Sequence, residues 1–258
     1  MIPIKEPWEL GVMRSAGRKL AEIVARLREV AAVDMTTADL DRLTEEAILA
    51  AGARPAFKGY KVGKAIFPAS LCVSVNEQVV HGIPGKRRLK AGDLLSLDFG
   101  LVYGGFYADT AFSIGLPPIS PDTQRLLDAT EEALYKAVPL ARPGNRIGDL
   151  GHAVQSHVEP RGFGVVTQFV GHGIGRKLHE EPSVPNFGKK GTGNLLKAGM
   201  VLAIEPMITA GKGETKVLSD AWTVVTVDGS RSAHFEHTVA VTPSGPEVLT
   251  TLDPLPIR

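Results

Sequence analysis

Four acidic residues lie beside or inside apolar segments, where carboxylates are uncommon. Asp98 and Glu205 each end an apolar run, Asp109 follows Asp98 by 11 residues, and Glu236 precedes another apolar run. Aspartate is depleted from β-strands, and a buried carboxylate is costly unless it is paired or bound to a metal. Neutralisation by lysine or arginine would explain one such residue, whereas four of them favour a shared cation site.

The segments that lead to two of these acids are copies of each other. Residues 89–98 read LKAGDLLSLD and residues 196–205 read LKAGMVLAIE, an offset of 107 residues. In each copy a turn precedes a short apolar strand that ends on a carboxylate. We therefore expect Asp98 and Glu205 to face one metal site, in a single domain built from related halves at about 1–118 and 119–258.

The glycine pair Gly104-Gly105 predicts a two-residue hairpin turn between strands at 94–99 and 106–114. This register places Gly100 opposite Asp109, so that Asp98 lies one diagonal step away, with Cβ atoms within roughly 7–8 Å. Carboxylates at that separation repel each other and raise one pKa unless a cation lies between them. Taken alone, this pair would equally fit one solvated acid and one turn acid.

Three of the seven histidines occupy informative positions. His81 lies in VHGIP at 80–84 and His172 in GHGIG at 171–175, so this motif is also duplicated, and His179 follows His172 by seven residues. Glycine on both sides of His172 allows the backbone to approach another group closely. His234 shares the strand face of Glu236 and could support the metal ligands through a hydrogen bond, although a structural role is the favoured expectation.

Four carboxylates and one imidazole form a hard, oxygen-rich ligand set without a thiolate. Such a set suits two divalent ions drawn from Mn²⁺, Fe²⁺, Co²⁺ and Zn²⁺. Carboxylates that bridge two ions about 3.5–4 Å apart can hold a hydroxide for hydrolysis. The residues therefore predict a metal-dependent hydrolase.

The surrounding pattern predicts an α+β protein. Apolar periodicity predicts helices at 6–31, at 37–52 with Thr37 as N-cap, from 121 to about 138, and at 147–159. Residues 53–70 read as a loop. Further strands are expected at 71–75, 163–170, 200–206, 221–227, 235–242 and 247–250.

Composition limits the remaining possibilities. The net charge of the 258 residues is +1, which predicts no strong attraction to nucleic acid or to an anionic membrane. The single cysteine, Cys72, cannot form an intramolecular disulfide and suits a reducing compartment. No apolar run approaches signal-peptide length at the N-terminus or the roughly 18 residues of a membrane span. We expect a cytoplasmic protein.

From the first helix to residues 236–238, the chain resembles the type I methionine aminopeptidases, metallopeptidases with the pita-bread (creatinase/aminopeptidase) fold. The most specific stretch is FVGHGIG at 169–175, followed by His179 and by VPN at 184–186. The resemblance implies an α+β fold of two pseudo-symmetric halves, in which helices cover a curved antiparallel sheet.

The resemblance also assigns roles to the candidate residues. Five residues would hold the two ions: Asp98, Asp109, His172, Glu205 and Glu236. Asp109 and Glu236 would bridge both ions. Asp98 would bind one ion, and His172 and Glu205 would bind the other. Glu205 would also shuttle a proton, His81 would contact the scissile amide or assist the leaving amine, and His179 would stabilise the oxyanion. The side chain of the substrate would enter a pocket formed by Phe67, Cys72, Leu178 and Trp222.

Further expectations follow from the same resemblance. The substrates would be N-terminal methionines of nascent proteins with a small second residue, bound through the free α-amine. The protein would be a monomer, with a possible ribosome contact and no dependence on nucleic acid. Departures from the family pattern are a longer loop at 61–66, Leu178 in place of a frequent aromatic residue, and Phe187 in place of tyrosine.

Three alternatives remain open at this point. Proline-specific aminopeptidases and prolidases share the fold but usually carry an additional N-terminal domain, for which 258 residues leave no room. A non-catalytic peptide-binding relative would typically lose metal ligands, whereas all five are present here. A metal-free structural domain would leave the strand carboxylates unexplained.

Overall fold

The computed structural model describes residues 2–252. Its four α-helices occupy the predicted segments: α1 Pro7–Val30, α2 Thr37–Ala50, α3 Pro121–Ala137 and α4 Ile147–Val158. The prediction of Thr37 as the N-cap of α2 is wrong by one residue. Thr36 has the extended backbone of a cap, and its hydroxyl accepts from the Asp39 amide at 3.1 Å. Across residues 2–252, none of the helices combines the length and the apolar character needed to span a membrane.

Most strands within residues 2–252 are short, and the two longest have ten residues each and form a hairpin. In chain order the strands are β1 Arg54–Pro55, β2 Lys61–Val62, β3 Ala65–Ile66, β4 Cys72–Val75, β5 Gln78–Val80, β6 Leu94–Tyr103, β7 Phe106–Gly115, β8 Gly164–Val165, β9 Gly171–Gly173, β10 Glu180–Val184, β11 Val201–Ile204, β12 Met207–Thr209, β13 Thr215–Val217, β14 Val224–Thr226, β15 Ser232–His234, β16 Glu236–Thr242 and β17 Gly245–Val248.

Nine of these strands form one antiparallel sheet. Its order is β1-β6-β7-β16-β11-β9-β10, with β4 also paired to β6 and β17 to β16. Three smaller sheets have the orders β15-β12-β8, β13-β14-β5 and β2-β3. The large sheet joins strands from distant parts of the sequence, because β7 pairs directly with β16.

The structure corrects three parts of the predicted strand pattern. The segment 163–170 is not one strand, since only Gly164–Val165 is extended and β9 begins at Gly171. The predicted loop 53–70 contains β1 and the small hairpin of β2 and β3. The short strands β5, β10, β12, β13 and β15 were not predicted. The division into two related halves stays a prediction.

The helices cover the large sheet. Helix α1 packs on β6 and β7, and buries Met13, Leu20 and Leu27. Gly17 on the same helix is required by close packing, because a Cβ atom there would lie 2.3 Å from the Leu249 carbonyl oxygen. Burial of this helix face fixes the hairpin of β6 and β7, which carries the first two candidate acids.

Candidate active site

The predicted hairpin register is confirmed and brings three acids to one face. Gly100 pairs with Asp109, and Ala111 pairs with Asp98 on one side and with Glu236 on the other. Side chains alternate along a strand, so Asp109 and Ala111 point to the same face. The small Ala111 side chain therefore leaves space between three carboxylates on β6, β7 and β16.

The remaining two candidates reach the same place from the neighbouring strands. His172 lies on β9 opposite Ala203 of β11, and Glu205 follows directly after β11. The Nε2 atom of His172 is 3.6 Å from Oε1 of Glu205. The five candidates thus come from β6, β7, β16, β9 and the end of β11, which are five consecutive strands of the large sheet.

The His172 ring is held in one tautomer. Its Nδ1 atom donates to the Gly173 carbonyl oxygen at 2.9 Å, because a carbonyl can only accept. The Nε2 lone pair is therefore directed at the carboxylates, as in a metal-binding imidazole. Gly173 allows this backbone path, since a Cβ atom there would meet the Glu181 carbonyl oxygen at 2.2 Å.

In the described part of the chain, the four carboxylates have no lysine or arginine partner. Within residues 2–252, none of the four forms an ion pair with lysine or arginine, and Asp98 Oδ1 and Glu236 Oε1 are buried without a hydrogen-bond partner. One ligand atom from each of Asp109, His172 and Glu236 lies within 4.8 Å of the others. Orphaned buried oxygens are costly, so this donor set fits divalent cations.

The pKa shifts of the candidate ligands also agree with a site for divalent cations. In the absence of a cation, burial raises the pKa of Asp98, Glu205 and Glu236 well above the usual range, and neighbouring carboxylates raise it further. Burial raises the pKa of Asp109 to about 7. Burial lowers the pKa of His172 to about 3, so its imidazole is neutral and available as a ligand.

An apolar pocket of about 300 Å³ opens beside the acids. All eleven residues predicted as metal ligands, catalytic groups or pocket residues line it: Phe67, Cys72, His81, Asp98, Asp109, His172, Leu178, His179, Glu205, Trp222 and Glu236. Cys72 pairs with Asp98 across β4 and β6, which places its side chain beside the acids. Burial raises the pKa of the Cys72 thiol well above its usual range, so the thiol stays protonated.

Two further imidazoles face the pocket. The rings of His179 and His172 are 4.3 Å apart, and the Tyr60 hydroxyl lies 2.6 Å from Nδ1 of His179. His81 has edge contacts with the rings of Phe169 and Trp222. Burial lowers the pKa of His81 to about 4, and burial also lowers the pKa of His179. Both rings are therefore neutral near pH 7.

Sequence reasoning missed several residues of the site. The pocket is also lined by Phe57, Tyr60, Val62, Val80, Phe169 and Met207. Phe57 and Tyr60 belong to the predicted loop, and its unusual aromatic content was the available signal. His234, expected to be structural, is 1% exposed and its Nε2 lies 3.5 Å from Oε2 of Glu205. Burial lowers the pKa of His234 to about 3.

Comparisons with known proteins define the class of this protein. Residues 11–243 match the family model of metallopeptidase family M24, and the chain belongs to this family. It is therefore a hydrolase of the metallopeptidase class, and the α+β pita-bread fold is confirmed.

Relatives that match over almost their entire length show which members of the family this chain resembles. The chain is 50% identical over 252 residues to a methionine aminopeptidase of Clostridium perfringens, covering 98% of this chain and 100% of the relative. It is 48% identical over 250 residues to methionine aminopeptidase 1 of Bacillus subtilis, covering 97% and 99%. The predicted resemblance to the methionine aminopeptidases is thus confirmed.

Solved structures show the same relationship. The methionine aminopeptidase of Thermotoga maritima superimposes with a TM-score of 0.94 at 44% identity, covering 97% of this chain and 100% of that one. The prolidase of Pyrococcus furiosus has a TM-score of 0.78 at 22% identity, and 66% of its chain is covered. At that identity the prolidase shows the shared fold alone.

Proposed function

We propose that this protein is a metal-dependent aminopeptidase that removes the N-terminal methionine from nascent proteins and peptides, with a preference for a small second residue. The observation that carries the proposal is the meeting of five potential ligands beside an apolar pocket, with no lysine or arginine partner among residues 2–252. The names of the full-length relatives support the substrate. The reaction belongs to the cytoplasm, where nascent chains are found.

The metal ions would be held by the five residues on consecutive strands: Asp98, Asp109, His172, Glu205 and Glu236. Their chemistry suits a pair of Mn²⁺, Fe²⁺, Co²⁺ or Zn²⁺ ions. When bound, such ions supply an activated water as the nucleophile and a Lewis acid for the scissile carbonyl. Asp109 and Glu236, each with a ligand atom within 4.8 Å of one on His172, would contribute carboxylates to the centre of this set.

The protein's own side chains carry the remaining steps. A Tyr60 hydroxyl that donates to Nδ1 of His179 leaves the ring proton on Nε2, where it can stabilise an oxyanion. Glu205, whose carboxylate lines the pocket, is suited to accept a proton from the attacking water and return it to the leaving amine. His81, neutral at the pocket wall, is available to contact the scissile amide.

Two adjoining cavities would accommodate different parts of a peptide substrate: the side chain of the first residue and the residues after the scissile bond. The pocket of about 300 Å³ is walled by Phe67, Leu178 and Trp222 and would accept the unbranched thioether of methionine. A second cavity of about 580 Å³ shares His172 and His179 with this pocket. It provides room for the residues beyond the scissile bond.

The test compares release of methionine from Met-Ala-Ser with release of the first residue from X-Pro peptides, with Mn²⁺ or Co²⁺ and with a chelator. We expect metal-dependent hydrolysis of Met-Ala-Ser and little cleavage of X-Pro. His172→Ala should abolish the activity while the fold is retained, as measured by circular dichroism. Preferential cleavage of X-Pro, or full activity of the variant, would refute the proposal.

A further inference from the structure

His234 lies at the end of β15, with its backbone fixed on both sides. It pairs with Met207 of β12. The Ser113 hydroxyl accepts from the His234 amide at 2.9 Å and donates to the His234 carbonyl oxygen at 2.9 Å. The position of the imidazole is therefore set by two neighbouring strands.

The ring of this residue has an unused hydrogen-bonding capacity. His234 is 1% exposed, and both of its ring nitrogens are buried without a hydrogen-bond partner in the described structure. A buried polar group without a partner is costly, so its presence needs an explanation. The polar group that its Nε2 atom faces is Glu205, whose Oε2 atom is 3.5 Å away.

The Glu205 carboxylate lies between two imidazoles that differ in hydrogen-bonding capacity: one presents a lone pair and the other can present a proton. Oε1 faces Nε2 of His172 at 3.6 Å, and this nitrogen carries a lone pair because Nδ1 donates to Gly173. Two lone pairs directed at each other favour a cation between them. Oε2 faces His234, whose ring proton has no competing acceptor.

We propose that His234 is a positioning residue, whose Nε2–H donates to Oε2 of Glu205 and thereby holds Oε1 toward His172. A shift of about 0.6 Å closes the present separation to hydrogen-bond length. The inference rests on the proposed function, because Glu205 and His172 are the proposed ligands of one ion. A hydrogen bond to a ligating carboxylate fixes its orientation and strengthens metal binding.

The first experiment titrates Mn²⁺ into metal-free protein by calorimetry. His234→Leu, which lacks a donor, should weaken binding by about 10- to 100-fold. His234→Gln retains an N–H donor and should restore affinity close to that of the parent. As a matched control, His157→Leu removes a buried histidine that contacts Glu132 on the helical side, and should leave Mn²⁺ affinity unchanged.

Thermal unfolding of the metal-free variants separates positioning from simple packing. In the metal-free protein the His234 ring makes no hydrogen bond and its Nε2 lies 3.5 Å from Oε2 of Glu205, so replacing it by an apolar group should leave the melting temperature of His234→Leu equal or higher. A structural role would instead lower the melting temperature and leave Mn²⁺ affinity unchanged, which would overturn the inference. Equal weakening in His234→Gln and His234→Leu would also overturn it, because the donor would not be the relevant group.

A second measurement does not depend on the leucine variant folding. In the Zn²⁺-loaded parent, long-range ¹H–¹⁵N spectra should show His234 as the Nε2–H tautomer, assigned by its loss in His234→Gln. An Nδ1–H tautomer would refute the inference. If the parent binds neither Mn²⁺ nor Zn²⁺, the proposed function fails together with it; if the parent binds and His234→Leu binds equally, only the role of His234 fails.

Discussion

Asp109→Asn should make the metal-free protein more stable and the metal-loaded protein less stable than the parent. Without a cation, the Asp109 carboxyl is buried beside other acids, and its pKa is raised from 3.8 to about 7. The folded protein then binds a proton that the unfolded chain releases, so stability is lost as the pH rises from about 4 through 7. A neutral amide removes this cost.

The size of the effect follows from the pKa shift. A rise from 3.8 to about 7 corresponds to about 4 kcal/mol at pH 7 and above, and to about 2 kcal/mol at pH 5. These are upper values, because Asp98 and Glu236 share the cost by taking up protons themselves. For a chain of this size, each kcal/mol moves the melting temperature by about 2–4 °C.

The assay is thermal unfolding at pH 7.5 and pH 5, in EDTA and in Mn²⁺. In EDTA at pH 7.5 the variant should melt several degrees above the parent, and the gain should shrink at pH 5. In Mn²⁺ the order should reverse, since ligand at 100 times its Kd stabilises the parent by about 2.7 kcal/mol and the variant would lack one of the proposed ligands.

Asp149→Asn is the matched control. The backbone amides of Arg146 and Gly191 donate to this partly exposed carboxylate and lower its pKa, so it stabilises the fold above its unfolded pKa. Its replacement should lower the melting temperature equally in EDTA and in Mn²⁺. If Asp109→Asn also melted below the parent in EDTA at pH 7.5, the reasoning about uncompensated buried carboxylates would be wrong.

Three further outcomes are expected. Asp98→Asn should lower kcat/KM for Met-Ala-Ser by about 100-fold or more, because metal ligands provide several kcal/mol of transition-state stabilisation; full activity in steady-state assays would contradict the site assignment. Tyr60→Phe should lower kcat by about 10-fold with little change in KM, since the phenol orients His179 for the transition state; an effect on KM alone would argue against this role. Gly173→Ala should destabilise the protein by about 1–3 kcal/mol in chemical denaturation, because its Cβ would meet the Glu181 carbonyl; an unchanged midpoint would show that β9 can shift.

The first half of the site could be predicted from local sequence because a single turn sets its geometry. Gly104-Gly105 fixes the register of β6 and β7, and the pairing of Gly100 with Asp109 follows from counting along the hairpin. Helices α1 to α4 could be located for a similar reason, since their apolar periodicity and capping residues are contained within each segment.

Other parts of the fold and of the site depend on long-range contacts that the local sequence pattern does not encode. Strands β12 and β15 have three residues each, too few for an alternating pattern, and exist because they pair across the sheet. Strand β10 begins Glu180-Glu181-Pro182, a composition that argues against a strand, and forms because β9 lies beside it. The proximity of His234 to Glu205 and the contact of Tyr60 with His179 are also long-range, so the sequence offered the first only as the less favoured alternative and did not predict the second.

Because the candidate ligands come from five consecutive strands of one sheet, the cation site depends on more than half of the polypeptide. Asp98 and Glu236 lie on opposite sides of Ala111, although more than half of the chain separates them in sequence. Ion uptake should therefore follow completion of the sheet during biosynthesis. At saturating metal, the metal content of a preparation would then report the fraction of molecules in which the sheet is correctly assembled.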